Sequence, residues 1–294
     1  MSIRRDKIKS LLGIDVKDLN QEDLQTSSRD LLESGIHGIC FSPYEGSQKP
    51  GDPISEEQIR RKLELLRPYT QCIRTFSCTN QNETIPKLAK EYGFKTLVGA
   101  WLGDDLDKNE EELQGLIDLC NSGYVDIAAV GNEVMYREEL SEGQLIDYIE
   151  RAKKKIKGIP VGYVDAYYEF TDYPKIAEAC DVILANCYPY WEGCSIDYSL
   201  IYMKQMYQQA QRAAAGKPVI ITETGWPSQG EALGAAIPGY KNALKYFIDA
   251  ISWSKKDEIP MFYFSSFDES WKVSAEGSVG AYWGLWDQNH QLKF

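Results

Sequence analysis

Glu133 and Glu223 are the side chains best placed to do chemistry, and each closes an apolar run of β character. Residues 125–133 read Val-Asp-Ile-Ala-Ala-Val-Gly-Asn-Glu, and residues 217–228 read Lys-Pro-Val-Ile-Ile-Thr-Glu-Thr-Gly-Trp-Pro-Ser. A carboxylate at the C-terminal end of a buried strand stands where barrel enzymes place catalytic groups. A pair of them, one donating a proton and one attacking, is what glycosidic bond cleavage needs. Glu133 is therefore expected to be the general acid/base and Glu223 the nucleophile. Asn132 is expected to hydrogen-bond a sugar hydroxyl, the 2-OH, where contacts strengthen in the transition state. Gly131 is expected to let backbone approach the substrate, and the Gly225-Trp226-Pro227 turn to set an aromatic platform beside Glu223. The plain alternative for Glu133 is a carboxylate satisfied at the start of the next helix.

Elements that could position this pair follow from the hydrophobic pattern. Apolar runs lie at 38–41, 71–76, 96–101, 126–130, 161–164, 182–186, 219–222 and 261–264. Most are continuous rather than alternating, as a parallel sheet buried on both faces requires. Helical patterns fill the intervals, at 54–69, 82–92, 109–121, 141–156, 172–179, 197–215 and 238–254. Ser55 with Gln58 suggests a capping box, Gly93 a helix stop, and Lys153 to Lys155 a basic helix end. Strand–helix alternation argues an α/β chain, and eight such units argue a single (β/α)8 TIM barrel. No nucleotide-binding glycine motif follows any strand. Glu133 follows the fourth run and Glu223 the seventh, 90 residues on. Three barrel units of roughly 30 residues each span that gap, so both carboxylates are expected on one face. Residues 1–35 are expected to form a helical extension packed on the barrel, and residues 36–294 the catalytic barrel.

Composition narrows the function. The 294 residues are 43% hydrophobic with a net charge of −12, enough for a core and unfavourable for nucleic acid. Two histidines, His37 and His290, cannot build a multi-His zinc site, and no nucleophile elbow accompanies them. Acid–base work therefore falls to carboxylates, Tyr, Lys or Cys, and no metal or cofactor is expected. Seven cysteines without a CxxC pair read as buried free thiols. The N-terminus is basic without a following apolar segment, and no window resembles a membrane span. The chain as it stands is expected to be cytoplasmic, or periplasmic or secreted if a leader has been trimmed.

The strand-end Gly-Asn-Glu at 131–133 and Thr-Glu-Thr-Gly-Trp-Pro-Ser at 222–228 resemble the two signatures of glycoside hydrolase family 17. Asn186-Cys187-Tyr188-Pro189-Tyr190, Phe267-Asp268-Glu269-Ser270-Trp271-Lys272 and Tyr282-Trp283-Gly284-Leu285-Trp286 carry the same resemblance over residues 36–294. It implies a (β/α)8 barrel that retains anomeric configuration and acts on β-1,3-glucan, with Glu133 as acid/base and Glu223 as nucleophile. It implies that Tyr188 hydrogen-bonds the nucleophile and that Glu269 and Lys272 form a supporting pair, which Glu276 could join. The plain alternative for that pair is a surface ion pair. Arg74 is expected to hold a carboxylate ionised by its charge, or else to make a structural ion pair at the mouth. Tyr44, Tyr167, Tyr168, Tyr190, Trp191, Trp226, Phe267 and Trp271 are candidates to stack on glucosyl rings, with Tyr44, Trp191 and Trp226 foremost. The opening Gly-Ile-Cys-Phe-Ser-Pro-Tyr-Glu-Gly departs from plant members. The chain is more similar to bacterial members, some of which transfer glucosyl chains.

The expected partner is a β-glucan oligo- or polysaccharide. The expected reaction is internal hydrolysis by double displacement, or transfer to a sugar acceptor by the same residues. A glucan-binding protein without turnover and a carboxylate-ligated metal hydrolase are the readings from other classes.

Overall fold

The computed structural model describes Gly13 and residues 20–294. Eight parallel strands close into a barrel in sequence order. They are β1 (Ile36–Cys40), β2 (Thr70–Thr75), β3 (Lys95–Ala100), β4 (Ile127–Asn132), β5 (Val161–Ala166), β6 (Val182–Asn186), β7 (Val219–Thr224) and β8 (Met261–Tyr263). Every one coincides with an apolar run, because each strand lies between the barrel interior and a helical layer. All residues of β6 and β7 are buried. β8 pairs back to β1 through Gly38 and Ile39, which leaves no open edge.

The outer layer holds α1 (Gln21–Glu33), α2 (Glu56–Leu66), α3 (Thr84–Glu91), α4 (Leu106–Asn121), α5 (Glu142–Lys155), α6 (Glu169–Asp172), α7 (Pro174–Ala179), α8 (Ser199–Ala213) and α9 (Tyr240–Lys256). Ser55 caps α2 by accepting from the Gln58 amide, but the Gln58 side chain turns away to Pro43 O at 2.6 Å. The complete capping box is at Ser141 and Gln144, which starts α5. The helix expected at 172–179 is two pieces, because Pro174 pushes Tyr173 out of helical geometry at φ −122° and ψ 70°. α1 buries Leu24 and Leu32 and runs alongside α9. Gln25 donates to the Tyr240 hydroxyl at 2.8 Å near one end, and Lys255 reaches Ser34 O at 3.3 Å near the other. Residues 1–12 and 14–19 of the 1–35 stretch lie outside the described residues. No helix among the described residues is long and apolar enough to cross a membrane.

Two irregularities in the sheet decide where side chains point at the mouth. Between β4 and β5, the register advances from Ala129 opposite Gly162 to Asn132 opposite Val164, so β4 carries one extra residue. Between β6 and β7, it moves from Ala185 opposite Ile221 to Asn186 opposite Glu223, so β7 carries one extra residue. A one-residue slip turns the following side chains to the other face, and such bulges commonly re-aim residues beside active sites.

Candidate active site

Glu223 is buried at the end of β7, just past the extra residue, and both of its oxygens are held. Arg74 of β2 donates from Nη1 to Oε1 at 2.5 Å. Tyr188, after β6, donates from its hydroxyl to Oε2 at 2.8 Å. Arg74 is itself 1% exposed and lies 4.3 Å over the Phe76 ring. Its Nη2 donates to Asn132 Oδ1 at 2.6 Å, so one guanidinium ties β7 to β4 across the mouth. The planar fork of arginine suits two acceptors at once. Burial and the facing Glu223 push the Tyr188 phenol well above its usual pKa, which keeps it a donor. The neighbouring Cys40 thiol is pushed up to about 12 by burial and stays neutral.

Glu133 follows β4 in a left-handed conformation, φ +53°. That costs a non-glycine residue about 1–3 kcal/mol and persists only because its surroundings enforce it. Its amide donates to Val164 O at 2.8 Å. Asn186, the last residue of β6, donates from Nδ2 to Glu133 Oε1 at 2.8 Å. Its Oδ1 accepts from the Thr222 hydroxyl at 2.9 Å, which fixes the amide orientation. Burial, then the facing Glu223 charge, push the Glu133 carboxyl up to about 7, against the Asn186 hydrogen bond. Gly131 serves this turn rather than an open cleft. At φ +89° its added Cβ would meet Val134 at 3.1 Å and the Tyr163 ring at 3.3 Å, so the close approach is to the protein's own interior.

The loop after β8 brings a third group of charges. Glu269 and Lys272 are joined at 2.8 Å and are both buried, which differs from a surface ion pair. Lys272 also lies 3.9 Å over the Phe264 ring. Burial alone would lower the Lys272 pKa, yet the Glu269, Glu276 and Glu223 carboxylates hold it above its usual value. Burial pushes Glu276 up to about 7 despite Lys272.

The aromatic candidates divide by exposure. Tyr44 and Trp271 are half-buried and meet edge to face at 6.0 Å, and Trp271 donates to Glu269 at 3.0 Å. Tyr167 and Tyr168 are half-buried and meet edge to face at 5.2 Å. Trp191 is 41% exposed and leans on Trp283 at 5.5 Å. Trp226, Tyr190 and Phe267 correct the expectation, since each is only 1% exposed. Trp226 donates to Ile237 O at 3.0 Å and packs on Tyr190 and Tyr246. Tyr190 is spent on Glu231 O at 2.8 Å. Phe267 is enclosed by Trp286, His290 and Lys62. None of the three has a face open to a sugar, so the platform expected beside Glu223 is core.

Sequence reasoning missed Asn186 as a site residue, although it ends an apolar run just as Asn132 does. It also missed Trp101, 42% exposed with Arg137 stacked at 4.6 Å, and Tyr136, 60% exposed in the Glu133 turn. An aromatic closing the third run and another three residues after Glu133 were the available signal.

Residues 38–284 match the family described as the BtgE/BtgC glycoside hydrolase domain. The chain is 30% identical over 258 residues to a glucan 1,3-β-glucosidase of Candida albicans, covering 79% of this chain and 83% of that one. It is 28% identical to a glucan 1,3-β-glucosidase of Schizosaccharomyces pombe, covering 79% and 78%. Among solved structures, the glycoside hydrolase family 17 β-1,3-glucanosyltransferase from Rhizomucor miehei superposes with a TM-score of 0.78 at 29% identity, covering 88% of this chain and 96% of that one. With these likenesses running through the strands that carry Glu133 and Glu223, the chain belongs to the BtgE/BtgC glycoside hydrolase family, in keeping with the family 17 resemblance of its strand-end motifs.

Proposed function

We propose that the protein is a retaining glycosidase of β-1,3-glucan that cuts within the chain, with Glu223 as nucleophile and Glu133 as acid/base. The observation that carries this reading is the unlike setting of the two carboxyls. Glu223 has a guanidinium on one oxygen and a phenol on the other, a setting for a carboxylate that attacks. Glu133 is pushed up to about 7 by burial and by Glu223, a setting for a carboxyl that still holds its proton.

In the first step, a Glu223 oxygen bonds to the anomeric carbon as the glycosidic C–O bond breaks, and the leaving oxygen takes the Glu133 proton. Loss of negative charge on Glu223 then lowers the pKa of Glu133, which is left as a base. In the second step, Glu133 takes a proton from water or a sugar hydroxyl, whose oxygen attacks the same carbon and releases Glu223. Asn132 has its Oδ1 engaged by Arg74, which leaves its amide nitrogen as a donor to the 2-OH.

Transfer to a sugar acceptor is the second reading. Trp101, Tyr136 and Trp191 expose 42%, 60% and 41% of their surfaces; Tyr136 lies in the Glu133 turn and Trp101 stacks on Arg137 of that turn. Such faces can seat an acceptor in place of water. The Rhizomucor miehei glucanosyltransferase, solved as an active-site mutant with laminaritriose, is 28% identical. Product analysis on β-1,3-gluco-oligosaccharides, with Glu223→Gln as control, separates the readings. Shorter products alone mean hydrolysis, and longer ones mean transfer. No product from the wild type, with tight oligosaccharide binding, overturns both in favour of a binding protein. All seven cysteines are unpaired and six are buried, which supports a reducing compartment; cell fractionation tests that.

A further inference from the structure

The turn that carries Glu133 is held by two residues of β5 that no sequence motif singled out. Tyr163 and Asp165 lie two apart on one strand and so share a face, and both are fully buried. The Met135 amide donates to the Tyr163 hydroxyl at 2.9 Å. The Tyr163 hydroxyl donates to Asp165 Oδ2, and the Tyr136 amide donates to the same oxygen at 3.3 Å. Asp165 Oδ1 accepts from the Ala166 amide at 2.7 Å. The Tyr163 ring fills the space against which Gly131 turns. The pair thus holds the backbone just after the left-handed Glu133 by hydrogen bonds, and the Tyr163 ring lies beside Gly131 just before it.

Asp165 is an odd choice for a merely structural acceptor. Among the described residues no lysine or arginine forms an ion pair with it, and a buried carboxylate without a cation is costly. An asparagine, with one acceptor oxygen, could serve the donors on only one side of the carboxylate. Asp165 accepts on both oxygens and also carries a negative charge, and that charge faces Glu133.

We infer that Tyr163 and Asp165 are a positioning pair for Glu133: they lock its turn toward the glycosidic oxygen and set a negative charge against its carboxyl, so that the proton stays until bond cleavage. This rests on the acid/base role given to Glu133 above. Other groups facing that carboxyl are Glu223 from β7, which also favours the proton, and Asn186 at the end of β6 and Arg137 in the turn, which oppose it. Tyr188, after β6, senses Glu133 as well, and Glu169 after β5 faces Asp165. Burial pushes both carboxyls above the usual carboxylate range, while the Tyr163 hydroxyl and the Ala166, Tyr136 and Met135 amides favour the charged form of Asp165.

The test compares Asp165→Asn and Tyr163→Phe on two substrates. A β-1,3-gluco-oligosaccharide needs its leaving oxygen protonated. The 2,4-dinitrophenyl β-glycoside of laminaribiose has a leaving group that departs without help. Misplacing the acid is expected to lower kcat/KM on the oligosaccharide by up to ~100-fold and leave the dinitrophenyl substrate nearly unchanged. In Asp165→Asn the alkaline limb of the profile also moves to lower pH. Equal losses on both substrates, or an unmoved alkaline limb, overturn the inference. A carboxyl 13C titration, with the Glu133 signal assigned by its absence in Glu133→Gln, gives an answer without turnover. The Glu133 midpoint falls in Asp165→Asn if the inference holds and stays if it does not. A wild type inactive on every β-1,3-glucan defeats the proposed function, while the titration still decides the pair. Should Asp165→Asn not fold, the substrate comparison on Tyr163→Phe decides it.

Discussion

Replacing Arg74 with methionine removes the cation that holds Glu223. The side chains of this pair are 2% and 8% exposed, so water cannot take over the lost contact. Removing one partner of a buried ion pair costs about 3–5 kcal/mol, because the remaining charge is stranded. Tyr188 still donates to Glu223 at 2.8 Å, and Lys272 stands close enough to sense the same carboxylate. Those two place the expected loss at the lower end, about 3 kcal/mol. Glu223→Gln alone strands Arg74 in turn. Removing both charges leaves a neutral site, which is often close to the wild type in stability. Arg74→Met/Glu223→Gln is therefore expected to be more stable than Arg74→Met. Urea unfolding at about pH 7, followed by tryptophan fluorescence, measures this through the midpoint at constant slope. An Arg74→Met loss below about 1 kcal/mol, the range of exposed pairs, refutes the reasoning. So does a double variant as unstable as the two single losses added together.

Glu133→Gln should remove the alkaline limb, centred near pH 7, from the kcat/KM profile and lower activity on oligosaccharide by about 10²–10⁴-fold. The folded pKa of Glu133 is raised from 4.5 to about 7, so its favourable contribution is complete below about 4.5 and is lost as pH rises through about 7. Glu133→Gln is accordingly expected to gain up to ~3 kcal/mol relative to the wild type between about pH 4 and pH 8, as read by urea midpoints across that range. Trp226→Ala should cost about 3–5 kcal/mol of stability, whereas Trp191→Ala should raise KM and leave the melting temperature nearly unchanged; the reverse pattern would restore Trp226 as a sugar platform. Glu112 accepts from the Ser77 hydroxyl, the Cys78 amide, the Thr79 hydroxyl and the Trp101 amide. Glu112→Ala orphans these donors and should cost 3 kcal/mol or more at about 1–3 kcal/mol for each group left buried, measurable by the same unfolding.

The strand positions were legible because a parallel strand covered on both faces must be apolar along its length. The two glutamates stood out for the same reason, as charges at the ends of such runs. Arg74 and Tyr188 came into view only through the family resemblance and a charge argument, and the structure places both on Glu223. Trp226 shows where this reading fails. An aromatic next to a strand-end acid looks like a platform, but Tyr190 and Tyr246 close over it, and they come from other elements. Asn186, Tyr163 and Asp165 were passed over because a polar residue in or after an apolar run does not reveal which neighbouring strand it serves.

Local pattern, then, determined the eight strand–helix units, their order and which ends carry carboxylates, since burial on a strand depends on the residues of that strand. Three properties of the site belong to the tertiary structure alone. The extra residues in β4 and β7 exist only as offsets against the neighbouring strands, β5 for β4 and β6 and β8 for β7, and they re-aim side chains at the mouth. The arginine fork joins Glu223 to Asn132 across strands that are distant in sequence. The proton affinity of Glu133 is set by burial and by charges on β5 and β7. Each is a sum over neighbours brought together by barrel closure, and electrostatic fields act through space rather than along the chain.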